Sequence, residues 1–121
     1  MEIIAKILIA VVALEHIYIL WMEMFAWETL GKKTFRGAIP DEMFAKTKTF
    51  AANQGLYNGF LAAGLTWTFF IQDMHWHFCI ALFFLSCVSI AGLYGAYSVS
   101  KRIFYIQALP ALITIILMYI N

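Results

Sequence analysis

Four long apolar runs constrain this chain more than any other feature. They lie at Ile3–Ala26, Thr49–Phe70, Phe78–Ser98 and Ile103–Ile120, and each is near the roughly 20 residues that a helix needs to cross a bilayer. Only 12% of the 121 residues are charged and 64% are hydrophobic, against about 25% and about 45–50% in soluble domains. A soluble domain this small has too little interior to hide so much apolar surface. Mean hydropathy is +0.82. The expected fold class is therefore all-α: a single domain over 1–121, with four transmembrane helices in a compact bundle. The first run is not read as a signal peptide, because Glu15-His16 interrupt it and no small-residue cleavage site follows. A net charge of +1 leaves no basic excess for nucleic acid.

Basic residues orient the bundle. Lys32, Lys33, Arg36, Lys46 and Lys48 fall between runs one and two, and Lys101 and Arg102 between runs three and four. Four spans put those two loops on one side, where seven of the eight basic residues then gather; Lys6 alone lies opposite. The positive-inside rule predicts a multi-pass protein of the plasma membrane with loops 27–48 and 99–102 in the cytoplasm and both termini outside. Gly31 is a plausible helix stop, and Pro40-Asp41-Glu42 reads as a helix start, so the second helix is expected to begin near residue 40. Trp27, Tyr97 and Tyr105 suit one aromatic belt, and Trp67, Trp76 and Tyr119 the other.

Polar groups inside the runs carry the functional signal. An ionisable side chain at mid-span costs about 2.5–3.5 kcal/mol and is expected to face protein or water. Run one holds Glu15, His16 and Glu23; run two holds Asn53, Gln54, Tyr57 and Asn58; run four holds Gln107, soon after Arg102. At 100° per residue, His16 and Glu23 lie about 20° apart on one helix face. Counting rise from the cytoplasmic ends puts Glu15 and His16 level with Asn58 at about 14–15 Å, and Glu23 level with Asn53 and Gln107 at about 5–6 Å. These nine residues are the expected lining of a polar pocket open toward the cytoplasm. The bland alternative, hydrogen-bonded glue between helices, returns only about 0.6 kcal/mol per bond and fits two carboxylates badly. Gly55, Gly59 and Ala63, with Ala91/Gly95 and Gly92/Ala96, form small-residue ridges on which spans two and three are expected to pack together.

Other chemistry finds little footing. Cys79 and Cys87 are eight residues apart on one helix, about 12 Å, beyond disulfide reach. His75 and His77 form an HxH pair in the outer loop, more often a polar surface than a metal site. No cofactor or metal is expected, and no nucleophilic triad or phosphate loop is present.

The run Asn53-Gln54-Gly55-Leu56-Tyr57-Asn58-Gly59-Phe60-Leu61-Ala62-Ala63-Gly64-Leu65 resembles the signature of a family of small bacterial and fungal membrane proteins, domain-of-unknown-function family 1304. Glu15-His16 with Glu23-Met24-Phe25 and Trp27, Ala91-Gly92 with Tyr94-Gly95, and Gln107 with Pro110-Ala111 are similar to its other marks. The resemblance covers nearly the whole chain. It implies four spans and supplies no activity.

The favoured reading is a proton-coupled pocket that binds or transports a small or amphipathic molecule, partnered by the lipid bilayer, with self-association left open. Size, four spans and a span-one glutamate are similar to small multidrug transporters, although the seven-to-one basic bias speaks against dual topology. The alternatives are an intramembrane acid/base enzyme acting on a lipid-like substrate, with Glu15 and His16 as the pair and Tyr57 and Asn58 orienting it, and a structural helper subunit.

Overall fold

The computed structural model describes residues 2–120, and the regular structure among them is entirely helical. Helix α1 spans Ile3–Phe25, α2 Lys32–Thr34, α3 Glu42–Lys46, α4 Lys48–Trp67, α5 Met74–Ser98 and α6 Leu109–Ile120. Of these, α1 and α5 are long and apolar enough to cross a membrane, with mean hydropathy of 2.2 and 2.1 over their best windows. Helix α4 carries Asn53, Gln54 and Asn58, and the fourth apolar run is divided, so neither matches them.

Local chemistry explains the interruptions. A π turn over Trp27–Gly31 joins α1 to α2, closed by the Gly31 N–H donating to the Ala26 carbonyl at 2.9 Å. Gly31 does not end the helix as expected. Its missing side chain makes room for Trp27, whose ring would stand 2.7 Å from a Cβ there, and the chain turns away only at Gly37, where φ is +87°. Pro40-Asp41-Glu42 does start a helix, α3, which breaks at Thr47 before α4. A second π turn, Phe104–Ala108, precedes Pro110. Proline has no N–H for the carbonyl four residues back, and its ring crowds that carbonyl, so the preceding turn widens. Asp73 caps α5, its carboxylate accepting the Trp76 N–H at 3.0 Å.

Two apolar clusters hold the bundle. The larger joins Ile9 and Val12 of α1, Leu65 of α4, Leu85 and Val88 of α5, and Ala111 and Met118 of α6. The smaller lies at the loop end, where Trp27 packs on Phe44, Ala51, Phe35 and Ile39. Trp27 is only 9% exposed and its Nε1–H donates to Thr47 Oγ1 at 3.0 Å, so it is a core residue and not the belt residue expected.

The glycine ridges also find different partners. Helix α4 does not use Gly55 and Gly59 against α5; it uses them against α1. A Cβ on Gly55 would lie 2.9 Å from Met24 Cγ, 3.0 Å from Glu23 Cβ and 3.1 Å from the Leu20 carbonyl, and one on Gly59 would strike Leu20. On α5, Gly92 admits the Ala108 backbone and Gly95 admits Ile103. Helices α4 and α5 meet where Gly64 accepts the Phe84 ring and Leu65 joins Ala81 and Leu85 in the core. The ends of α2 and α5 come together through Arg102, whose Nη1–H donates to the Thr34 carbonyl at 2.9 Å, so the two basic loops share one end of the molecule.

Candidate functional site

Between the two apolar clusters lies a polar layer built mainly by one face of α1. Glu15, Tyr18, Ile19, Met22 and Glu23 follow the i, i+3, i+4, i+7, i+8 stripe of a helix, and all five line one cavity of about 130 Å³. Gln54 and Asn58 of α4 and Ile103, Ile106 and Gln107 of the last segment complete its walls, with Thr34, Phe35 and Arg102 at the rim. The space suits several water molecules or a small head group.

Hydrogen bonds fix part of this lining. Asn58 Nδ2 donates to Glu23 Oε1 at 2.7 Å and to the Gln54 carbonyl at 3.2 Å. His16 is fully buried. Its Nδ1 lies 2.8 Å from the Val12 carbonyl; a carbonyl can only accept, so Nδ1 carries the hydrogen and Nε2 accepts from the Gln107 amide at 3.1 Å. Glu15 differs. Its Oε1 is buried and has no hydrogen-bond partner among the described residues. A buried carboxyl oxygen without a donor is costly and marks a place where a water, a proton or a ligand can act.

Of the nine residues singled out in the sequence, Glu15, Glu23, Gln54, Asn58, Arg102 and Gln107 border the cavity, and His16 stands behind Gln107. Asn53 does not join them; it is exposed on another face of α4. Tyr57 is also exposed and lines a neighbouring groove between α4 and α5. The expected levels shift as well, since Glu23 meets Asn58 and not Asn53. Helix α1 ends where the apolar run does, at Ala26, whose φ of −136° and ψ of 26° leave the helical region, so the level counted along each run did not decide which amide Glu23 meets. Tyr18, Ile19 and Met22 were missed as lining. Their helical spacing from the two glutamates was the available signal.

Elsewhere, His77 turns inward, with Nδ1–H donating to the Thr68 carbonyl at 2.7 Å, while exposed His75 sits 3.7 Å from Cys79 Sγ. Two residues apart on a helix, the imidazoles diverge. Among the described residues no three His, Cys, Asp or Glu side chains converge as a metal site.

The bundle thus places two glutamates of one apolar, membrane-length helix beside a shared cavity. The chain belongs to the family described as "Protein of unknown function (DUF1304)", whose profile matches residues 10–119. It is also similar to the uncharacterized protein YpaA of Lactococcus lactis subsp. lactis (strain IL1403), at 29% identity over 117 residues, 96% of this chain and 97% of that one. No solved structure matches.

Proposed function

We infer that the chain is a four-span plasma-membrane protein whose cavity opens toward the cytoplasm and binds a small or amphipathic cation, moving it with coupled protons. The loops at 27–48 and 99–102 lie in the cytoplasm and both termini outside, in keeping with seven of eight basic residues at one end. One observation carries the binding reading: Glu15 and Glu23 face a single cavity, and Glu15 keeps a buried oxygen without a partner. Acceptors dominate the deeper wall, so the complementary ligand offers N–H donors and positive charge. Apolar Ile19, Met22 and Ile106 would hold its hydrocarbon part. The acid/base enzyme has weaker support, because the His16 imidazole is engaged at both nitrogens and does not face Glu15's cavity.

The test uses n-butylamine, small enough for the cavity, with the full chain in phosphatidylcholine nanodiscs. Calorimetry at neutral pH is expected to show binding that weakens on acidification, because a protonated carboxyl no longer attracts ammonium. Glu15→Gln is expected to flatten that pH response while preserving the fold, since the amide keeps the shape and cannot ionise. No butylamine binding by the parent, or an unchanged pH response in Glu15→Gln, would overturn the reading.

A further inference from the structure

The cavity has a neighbour that no motif in the sequence announced. Helix α4 is drawn onto α1 by Gly55 and Gly59, where backbone and side chains of α1 would lie within 3.1 Å of a Gly55 Cβ. It therefore stands away from α5 along the half nearer the basic loops. The gap is a groove of about 680 Å³ between α4 and α5. Its rims are exposed aromatic side chains, Tyr57 at 58%, Phe60 at 54% and Tyr94 at 70% exposure, and Cys87 and Ala91 lie along it. From Cys87 to Ser98 the groove follows eleven helical steps, about 16 Å of rise. That is close to half of a bilayer's hydrocarbon thickness of about 30 Å, the depth of one leaflet.

The groove adjoins the cavity. Gln54, Asn58, Ile103 and Gln107 line both, so the wall between them consists of side chains and contains no helix. A molecule lying in the groove thus has its hydrocarbon part between α4 and α5, at the depth of lipid tails. Its polar end meets amides first, and then Glu23 and the unpartnered oxygen of Glu15. Arg102 stays at the rim, held by the Thr34 carbonyl. Apolar outside and acidic within, this sequence of surfaces matches a molecule that is hydrocarbon at one end and cationic at the other.

We propose that the α4–α5 groove is a lateral entrance from the bilayer, and that the ligand of the cavity is a long-chain amine amphiphile whose ammonium reaches Glu23 and Glu15 while its alkyl chain occupies the groove. This rests on the cation-binding reading of the cavity given above, and adds the route and the ligand class.

The test uses the full chain in phosphatidylcholine nanodiscs with a tetradecylamine carrying a diazirine in its chain, mapped by mass spectrometry after illumination. Labelling is expected to concentrate on Tyr57, Cys87 and Tyr94 and to be competed by excess n-butylamine. The matching diazirine alcohol, with the same chain and no ammonium, is expected to label these positions at least about tenfold less, equivalent to about 1.4 kcal/mol. Ala91→Phe, and Ala91→Leu as the milder variant, fill the groove and are expected to cut amine labelling there by a similar factor while butylamine binding stays at the parent's level. Retained butylamine binding with labelling spread evenly over outward positions such as Phe83 and Ile116 would overturn the entrance and leave the cavity reading standing. Equal labelling by amine and alcohol would do the same, as would cross-linked peptides joining two copies through the groove. Absence of butylamine binding would overturn both.

Discussion

Substituting Gly55 is the sharpest perturbation of the architecture that forms the cavity. Adding only a methyl group would bring carbon to 3.1 Å from the Leu20 carbonyl oxygen and 3.0 Å from Glu23 Cβ. Neither can yield easily, because both belong to the backbone or first side-chain atom of α1. Gly55→Leu must therefore separate α1 from α4, and a separation of about 1 Å stretches the 2.7 Å Asn58–Glu23 bond beyond hydrogen-bond range. Overpacking costs about 1–3 kcal/mol. The lost interhelical bond adds about 0.6–1.7 kcal/mol in a membrane setting. The expected destabilisation is about 2–4 kcal/mol, measured by SDS-driven unfolding in mixed micelles with tryptophan fluorescence. Leu56→Ala, on an exposed position of the same helix, is the control and is expected to change little. A Gly55→Leu protein that unfolds with the parent would refute the close approach of α1 and α4.

Gly31→Ala is expected to cost about 1–3 kcal/mol by overpacking, because the Trp27 ring is trapped between Phe44 and Phe35 at centroid distances of 5.0 and 5.7 Å; faster proteolysis within residues 35–41 reports it. His77→Ala removes the donor to the buried Thr68 carbonyl and is expected to lose about 1–3 kcal/mol, whereas His75→Ala, at an exposed position, leaves the unfolding midpoint in place. In sealed vesicles of known orientation, Lys33→Cys and Lys101→Cys in a cysteine-free background are expected to react with an impermeant maleimide only from the cytoplasmic face, and Asp73→Cys only from the other. Labelling of Asp73→Cys from the cytoplasmic face would reverse the proposed orientation.

Helices were legible in this sequence because apolar runs and helix-forming patterns coincide: α1 and α5 fill the first and third runs, α4 the second. Pro40-Asp41-Glu42 announced α3 through the chemistry of a helix start. The π turns were not legible: in Trp27–Gly31 the indole lies over Gly31 four residues on while it packs on Phe44 and Ala51 from beyond the loop. Depth along the runs put Glu23 level with Asn53, whereas its hydrogen-bond partner is Asn58. Glycine ridges say that backbones approach, not which backbones, so Gly55 and Gly59 were assigned to α5 when α1 is their partner. Within the site, Glu15 and Glu23, two turns apart in an apolar run, were the most legible residues, and both line the one cavity. Amides carried less direction: Asn53 and Asn58 lie about 140° apart around α4, so one is exposed and the other buried, and the run alone does not say which of the two faces meets α1.

Glu15 and Glu23 are proposed to form one cation-responsive site inside the bundle. Side-chain carboxyl carbon NMR of the glutamate-labelled chain in nanodiscs, titrated with n-butylamine, tests it most directly, with Glu15→Gln and Glu23→Gln assigning the two resonances. Both resonances are expected to move together with a single saturation curve, while those of Glu28 and Glu42, on exposed loop-end positions, stay still. Two stationary resonances, or a shift of Glu23 alone with Glu15 unmoved, would contradict it.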